Sequence, residues 1–263
     1  VHDSYLGVKF LKSKDQISGV DTIYDIEYPW WRQKPAPPVN LDKAKKNVLV
    51  FEISERSLVD LDSMILMQLV KIKQGGNDDD DVFPRSASAE GEDGVFNKKI
   101  NTNLEFLLFE TRLFTALKEL KAKINYKFFN RTSPDVFVSK NKKYLFYYQT
   151  KTSIQEKVSE ALIEKYVTIF NNTFAYYRSK GFDEIYFSII PNPVSVIQPD
   201  CKRYNKLIPL IQSDSNLLMP MIDIYSIFND HKSQIYYHSD THWNKNGFQL
   251  WINELNKKIC NIK

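Results

Sequence analysis

Two histidines and an aspartate alternate in segment 236–244, which reads YYHSDTHWN and precedes a helix-like stretch. An aspartate two residues before a histidine, in a short segment ahead of a helix, can hold one imidazole nitrogen while the other points outward. This spacing predicts His242 as a general base and Asp240 as the carboxylate that orients it.

The same segment allows two other interpretations. If it is extended, His238, Asp240 and His242 share one side and could bind a metal ion, although the sequence offers no further ligand cluster to complete the site. Alternatively, His242 satisfies local backbone groups and Trp243 packs in the core. From these residues alone, all three interpretations stay open.

The elements that must position these residues alternate between strand-like and helix-like patterns, which is typical of a mostly parallel sheet flanked by helices. We therefore predict an α/β three-layer domain, with chemistry in the loops after Ile53, Ile190 and Tyr225. The predicted strands are Val48–Ile53, Asp135–Val138, Tyr144–Tyr148, Glu184–Ile190 and Met221–Tyr225. The predicted helices are Leu58–Lys73, Leu104–Lys123, Gln155–Ser179, Arg203–Gln212 and a last one that begins at Lys245. Gly181 is predicted to end the third helix, and residues 191–193 are predicted to form a turn.

Residues 75–97 have the composition of a linker. They hold four of the chain's eight glycines and a net charge of −6, so the remainder of the chain, whose total is +4, carries +10. Such a segment has little to bury. We predict that residues 1–74 and 98–263 form one domain and that 75–97 joins them. The basic body is consistent either with a lysine-rich surface or with an anionic polymer as partner.

No run of about 20 apolar residues is present, and the first residues lack the pattern of a signal peptide. We therefore expect no membrane span and no targeting segment within these residues. The two cysteines, Cys201 and Cys260, do not resemble a disulfide framework or a zinc site. Free thiols and one disulfide are both open.

The string SDTHWN, followed by Gly247 and a helix, resembles the Asp-Thr-His-Trp-Asn signature of the alginate O-acetyltransferase family and its DHHW relatives in the SGNH hydrolase superfamily. EIYFSIIPNP resembles the family's strand ending in a proline turn, and MPMIDIYSIF resembles its strand ending in Asp, here Asp223. The resemblance covers most of residues 98–260.

The family's nucleophile segment resembles the start of this chain. His2-Asp3-Ser4-Tyr5 stands where the family has Gly-Asp-Ser, and VFEISER supplies its Glu-Arg strand end, with Glu55 and Arg56. In the family this portion follows the histidine motif, whereas here it precedes it. The order indicates a circular permutation in which 75–97 joins the former termini.

The resemblance implies a triad of Ser4, His242 and Asp240 that forms an acyl-enzyme. It implies an O-acetyltransferase or acetylesterase of a cell-surface or exported polysaccharide, with no metal or nucleotide cofactor. It also implies an exported, envelope-associated location and a membrane-bound partner protein that supplies acetyl groups. Taken alone, Ser4 is also consistent with a solvated or helix-capping serine.

Besides Trp243, five further residues are candidates for the oxyanion hole or for substrate contact. Asn192 is an oxyanion donor or a turn residue between prolines. Arg56 steadies an anionic sugar or the motif's own backbone, or instead pairs with a neighbouring carboxylate, Glu55 or Asp60. The remaining three, Trp30, Trp31 and Arg32, either form a platform for a sugar ring or pack under a long loop. Trp243 either contacts the substrate or packs in the core.

Two other functions compete with the esterase or transferase. One is a non-catalytic carbohydrate-binding protein that keeps the fold, which the missing glycine before Asp3-Ser4 favours. The other is a nucleic-acid enzyme, which the basic body favours, but no nucleic-acid motif appears and we expect no nucleic-acid partner.

Overall fold

A computed structural model of the chain describes residues 17–24, 26, 38–72, 120, 124, 136–147, 157–197, 204–232, 234–238 and 241–260. The chain divides into two compact units, residues 1–73 together with 136–263, and residues 74–135. In the second unit the described residues are Leu120 and Ile124, both helical. The predicted linker and most of the predicted helix Leu104–Lys123 lie outside the described residues.

The first unit mixes short strands with helices, which confirms the α/β class at that level. In chain order its elements are β1 (Val48–Ser54), a 3₁₀ helix (Glu55–Asp60), α1 (Ser63–Gln68), β2 (Val136–Val138), β3 (Leu145–Tyr147), α2 (Glu160–Ser179), β4 (Glu184–Ile190), α3 (Pro193–Ile197), α4 (Leu207–Gln212), α5 (Ile224–Asp230) and α6 (Lys245–Cys260).

The central feature is a parallel pair, β1 and β4, aligned from Val48 opposite Glu184 to Ser54 opposite Ile190. Met221 extends the pair by one parallel bridge to Phe187. Both strands are apolar runs, as expected for parallel strands that are covered on both faces. The predicted strands Val48–Ile53 and Glu184–Ile190 are therefore confirmed, and both end at the same edge.

The two faces of this pair pack against different apolar clusters. Odd-numbered strand residues such as Phe51 and Phe187 join a core with α2, whose Phe170 lies 4.4 Å from Phe187 between ring centroids. On the other face, the Trp251 indole of α6 donates to the Ser188 hydroxyl at 3.1 Å. The alternation of side chains along a strand produces this division.

Helix α2 begins and ends at residues suited to those positions. The Ser159 hydroxyl caps its first turn by accepting from Leu162 N–H at 3.2 Å. Beyond its last residue, Ser179, Gly181 adopts φ of +100°, which glycine tolerates and other residues rarely adopt. The predicted end of the helix is confirmed, but the helix begins at Glu160 rather than at Gln155.

Two predicted elements are wrong in part. The helix predicted over Leu58–Lys73 is a 3₁₀ turn followed by the short α1, because Asp62 is extended and caps a new start by accepting from Met64 N–H at 2.7 Å. The strand predicted over Met221–Tyr225 is reduced to Met221. Asp223 instead caps α5 by accepting from Ser226 N–H at 3.1 Å.

Shorter segments differ from the prediction in length, in type or in pairing. The helix α3 follows the predicted turn directly, and α4 begins at Leu207 rather than at Arg203. β2 and β3 form an antiparallel pair apart from the main sheet. Within the part of the chain that the structure describes, no helix combines the length and the apolar character needed to cross a membrane.

Candidate functional site

Three segments meet beyond the carboxyl ends of the parallel strands. The chain leaves β1 into Glu55 and Arg56, and it leaves β4 into residues 191–195, called the turn 191–195 below, which include the first residues of α3. The third segment is a hairpin, formed by residues 235–238 and 241–244, which carries Thr241, His242 and Trp243 of the Asp-Thr-His-Trp string and lies just before α6. Hydrogen bonds described below connect all three, as expected of loops at this edge of a parallel sheet.

The hairpin is held by its own backbone and by Asn244. Tyr236 and Trp243 form an antiparallel bridge, and Tyr237 N–H donates to the His242 carbonyl at 3.3 Å. The Asn244 amide donates to the Gln234 carbonyl at 2.9 Å. His242 therefore lies in a short, hydrogen-bonded segment, as the sequence predicts.

Trp243 anchors the hairpin in the core. Its side chain is fully buried and packs edge-on against Phe228, with ring centroids 5.9 Å apart, and against Trp251 at 6.0 Å. The backbone of Gly247 lies so close that an added Cβ would be 2.7 Å from the Trp243 Cβ. Trp243 is predicted either to contact the substrate or to pack in the core, and the structure places it in the core.

Arg56 joins the end of β1 to the hairpin. Its guanidinium donates to the Thr241 hydroxyl at 2.6 Å, across 185 positions of sequence. Thr241 lies between Asp240 and His242, so Arg56 contacts the histidine motif itself. Of the roles considered for Arg56, the structure supports contact with the histidine motif. The group that Arg56 contacts there is the Thr241 side chain rather than the backbone of the motif.

Glu55, the neighbour of Arg56, turns into the interior instead of pairing with it. Its Oε2 accepts from Asn192 N–H at 2.8 Å and from the Ser195 hydroxyl at 2.7 Å. Its Oε1 is buried and makes no hydrogen bond within the described part of the chain. The carboxyl group thus ties the turn 191–195 to the end of β1.

Burial makes Glu55 an unusual acid. Removal from water raises its pKa from an ordinary value of 4.5 to about 7, although the hydrogen bonds from Asn192 and Ser195 act in the opposite direction. Burial also raises the pKa of the Tyr204 hydroxyl, and the nearby Glu55 charge raises it further. Near neutral pH the carboxyl therefore exists in both protonation states.

The turn is held from the hairpin as well. The Tyr236 hydroxyl donates to the Pro191 carbonyl at 2.6 Å, and both groups are buried. Asn192, the predicted oxyanion donor, is 4% exposed, and its backbone N–H is already used by Glu55. An oxyanion contact from Asn192 would therefore have to come from its side-chain amide.

Five of the predicted site residues lie outside the described residues: Ser4, Trp30, Trp31, Arg32 and Asp240. The structure brings together Arg56, Thr241 and the hairpin that carries His242, but the triad and the aromatic platform stay predictions.

The structure partly tests the prediction that His238, Asp240 and His242 bind a metal ion. Within the ranges that the structure describes, no group of three or more His, Cys, Asp or Glu side chains could hold a metal ion; Asp240 is not among these residues. The His238 ring packs edge-on against Tyr144, with centroids 4.8 Å apart.

In the same described part of the chain, Cys260 is a free thiol that donates to the Ser18 carbonyl at 3.1 Å.

Sequence reasoning missed the role of Glu55. Its signal was present, since a carboxylate directly after a buried strand must either reach solvent or find hydrogen bonds inside. Only the fold places Asn192 and Ser195, 137 and 140 positions away, within reach.

Compared with known protein families, with curated proteins and with solved structures, the chain has no match in any of the three comparisons.

Proposed function

We propose that this chain is a serine O-acetyltransferase or acetylesterase of the SGNH type, acting on a cell-surface or exported polysaccharide. The observation that supports it best is the hydrogen bond from Arg56 to Thr241 at 2.6 Å. It joins two segments that the sequence resemblance assigns to one active site, the Glu-Arg strand end and the Asp-Thr-His-Trp string, which lie far apart in this chain.

The surroundings of that contact agree with the proposal. Both segments lie beyond the carboxyl ends of parallel strands, where α/β proteins bind their ligands. The two faces of the strand pair carry separate apolar clusters, as a three-layer SGNH domain requires. In that arrangement the segments 1–74 and 98–263 would complete one domain in permuted order.

In the proposed reaction His242 takes the proton from Ser4, and the Ser4 oxygen attacks the ester carbonyl. Asp240 stabilises the imidazolium that results. Collapse of the tetrahedral intermediate releases the alcohol, which takes a proton from His242, and leaves an acetyl group on Ser4. Water as acceptor then gives an esterase, and a sugar hydroxyl gives a transferase.

The proposal is tested by release of the alcohol from a chromogenic acetyl ester. The unmodified chain is compared with Ser4→Ala and His242→Ala, and the matched controls are Ser213→Ala and His231→Ala, which change exposed residues away from the strand ends. Loss of any triad member is expected to lower kcat by roughly 10⁴-fold or more, while both controls keep it.

Two other results would point elsewhere. Turnover that survives in both triad variants would contradict the triad. Absence of turnover in every protein, with acetyl transfer to sugar acceptors also absent, would contradict both reactions, and retained polysaccharide binding would then identify the non-catalytic alternative.

A further inference from the structure

The three segments at the carboxyl edge form a closed ring of hydrogen bonds. Glu55 binds the turn 191–195 through its carboxyl group, and the turn binds the hairpin through Pro191 and Tyr236. The hairpin returns to β1 through Thr241 and Arg56. Each segment is thus fixed by two others.

Glu55 makes two hydrogen bonds to the same segment through a single atom. The partner groups, Asn192 N–H and the Ser195 hydroxyl, are themselves buried, at 4% and 0% exposure. Removal of the carboxyl would leave two buried donors without a partner, each at a cost that buried polar groups seldom bear. The turn would then have to move to satisfy them.

We propose that Glu55 is a positioning residue, which holds the turn 191–195 against β1 and thereby fixes the hairpin that carries His242. This inference rests on the proposed function only for its kinetic consequence. The positional consequence, that Glu55 controls the geometry of both the turn and the hairpin, belongs to the fold and is measurable without substrate.

The surroundings of the carboxyl indicate how it acts. Arg56 lies beside it in the chain, and Tyr204, ahead of α4, interacts electrostatically with Glu55 and also with Tyr225 and Tyr236. Because Oε2 accepts both hydrogen bonds, a proton on Glu55 resides on Oε1, on the side without a partner. The ring therefore keeps its contacts in either protonation state.

A glutamine reproduces the neutral form of this group, since its carbonyl oxygen can accept both hydrogen bonds. Glu55→Gln is therefore the conservative variant and Glu55→Ala the disruptive one. A matched control is Tyr177→Phe, which deletes a buried hydroxyl that contacts Leu66 and Val70 on the opposite side of the sheet from α6. It costs stability without touching the ring.

Kinetics on a chromogenic acetyl ester give the first test. We expect Glu55→Ala to lower kcat by about 100-fold with KM nearly unchanged, because small displacements of catalytic groups have effects of that order. Glu55→Gln recovers most of this loss, and Tyr177→Phe shows none of it. Unchanged kcat in Glu55→Ala, or an equal loss in Tyr177→Phe, would overturn the inference.

Amide NMR spectra give the second test, which holds if the chain hydrolyses no ester. In the unmodified chain the Asn192 amide shift should follow a titration with a midpoint near pH 7, and in Glu55→Gln this titration should vanish. The amides of Thr241 and His242 should shift in Glu55→Ala and keep their places in Glu55→Gln. Hairpin amides that keep their shifts in both variants would refute the positional claim. If Glu55→Ala fails to fold, the same amides are compared in Glu55→Asp, whose carboxyl is one methylene too short to reach both donors.

Discussion

The hydrogen bond between the Arg56 and Thr241 side chains connects the end of β1 to the hairpin. A guanidinium keeps its charge at any physiological pH and has several donors in a fixed plane, so it can bind a hydroxyl and still have donors for other groups. By holding Thr241, Arg56 restricts the neighbouring His242, which is the predicted base.

A double-mutant cycle measures this contact. Arg56→Ala and Thr241→Val each remove one partner, and we expect a coupling of about 1 kcal/mol in the free energy of unfolding, as for a charged hydrogen bond that is partly buried. Urea unfolding of the four proteins gives the value. Additive effects would mean that the two side chains do not interact.

Gly247 is required because the hairpin packs too closely against it to leave room for a side chain, and not because of its backbone conformation. Alanine would ordinarily favour the helix by about 1 kcal/mol. Here its Cβ would lie 2.7 Å from both the Ile235 carbonyl oxygen and the Trp243 Cβ, neither of which is a flexible side-chain end.

We therefore expect Gly247→Ala to destabilise the protein by about 1 to 3 kcal/mol, as overpacked cores do. Thermal unfolding gives the measurement, and Gln249→Ala, at an exposed position of the same helix, should have little effect. A rise in the melting temperature of Gly247→Ala would show that the hairpin does not pack against α6 in this way.

At the scale of elements, Asn244 connects the hairpin to α6. Its Oδ1 accepts from Asn246 N–H at 2.9 Å at the start of the helix, and its Nδ2 donates to the Gln234 carbonyl at 2.9 Å across the hairpin. The helix thus begins at the residue that closes the hairpin, and Trp243 beside it is buried in the same core.

Two substitutions separate these contributions. Asn244→Ser keeps a hydroxyl that can cap α6 but loses the contact across the hairpin, and Asn244→Ala loses both. We expect the serine variant to lie between the unmodified chain and the alanine variant in free energy of unfolding, with about 1 kcal/mol separating serine from alanine. Equal losses in the two would show that the cap contributes nothing.

The elements that could be predicted from the sequence are those whose local pattern and tertiary role agree. β1 and β4 are continuous apolar runs, and α6 has an apolar face and a capping residue, so their positions follow from periodicity. The segment 221–225 failed because Asp223 competes: its side chain caps a helix, and this preference outweighs an apolar strand-like pattern.

For the site, the sequence indicated His242 and Arg56 but not how they are connected. Patterns of residue types identify a hairpin ahead of a helix, whereas contacts such as Arg56 to Thr241 depend on which strands become neighbours. The same holds for Glu55, whose partners lie beyond β4.

At the scale of the whole molecule, Glu55 links stability to pH. The folded protein keeps the proton up to about pH 7, whereas the unfolded chain releases it near 4.5. Since the folded state binds more protons over this window, its stability is greatest at the acidic end and falls as the pH rises.

We expect the free energy of unfolding to fall by on the order of 3 kcal/mol between about pH 4.5 and pH 7 relative to Glu55→Gln. Urea unfolding over this range measures the difference, and Glu164→Gln, an exposed carboxyl, should follow the unmodified chain. Parallel curves for the unmodified chain and Glu55→Gln would show that Glu55 titrates alike in both states.

Covalent labelling distinguishes a Ser4 nucleophile that His242 activates from an ordinary serine. A fluorophosphonate is added to the folded chain, and the modified peptide is located by mass spectrometry beside Ser4→Ala and His242→Ala. We expect one adduct, on Ser4, which is absent in Ser4→Ala and forms at least about 100-fold more slowly in His242→Ala. An adduct on another residue, or labelling of Ser4 at the same rate without His242, would contradict it.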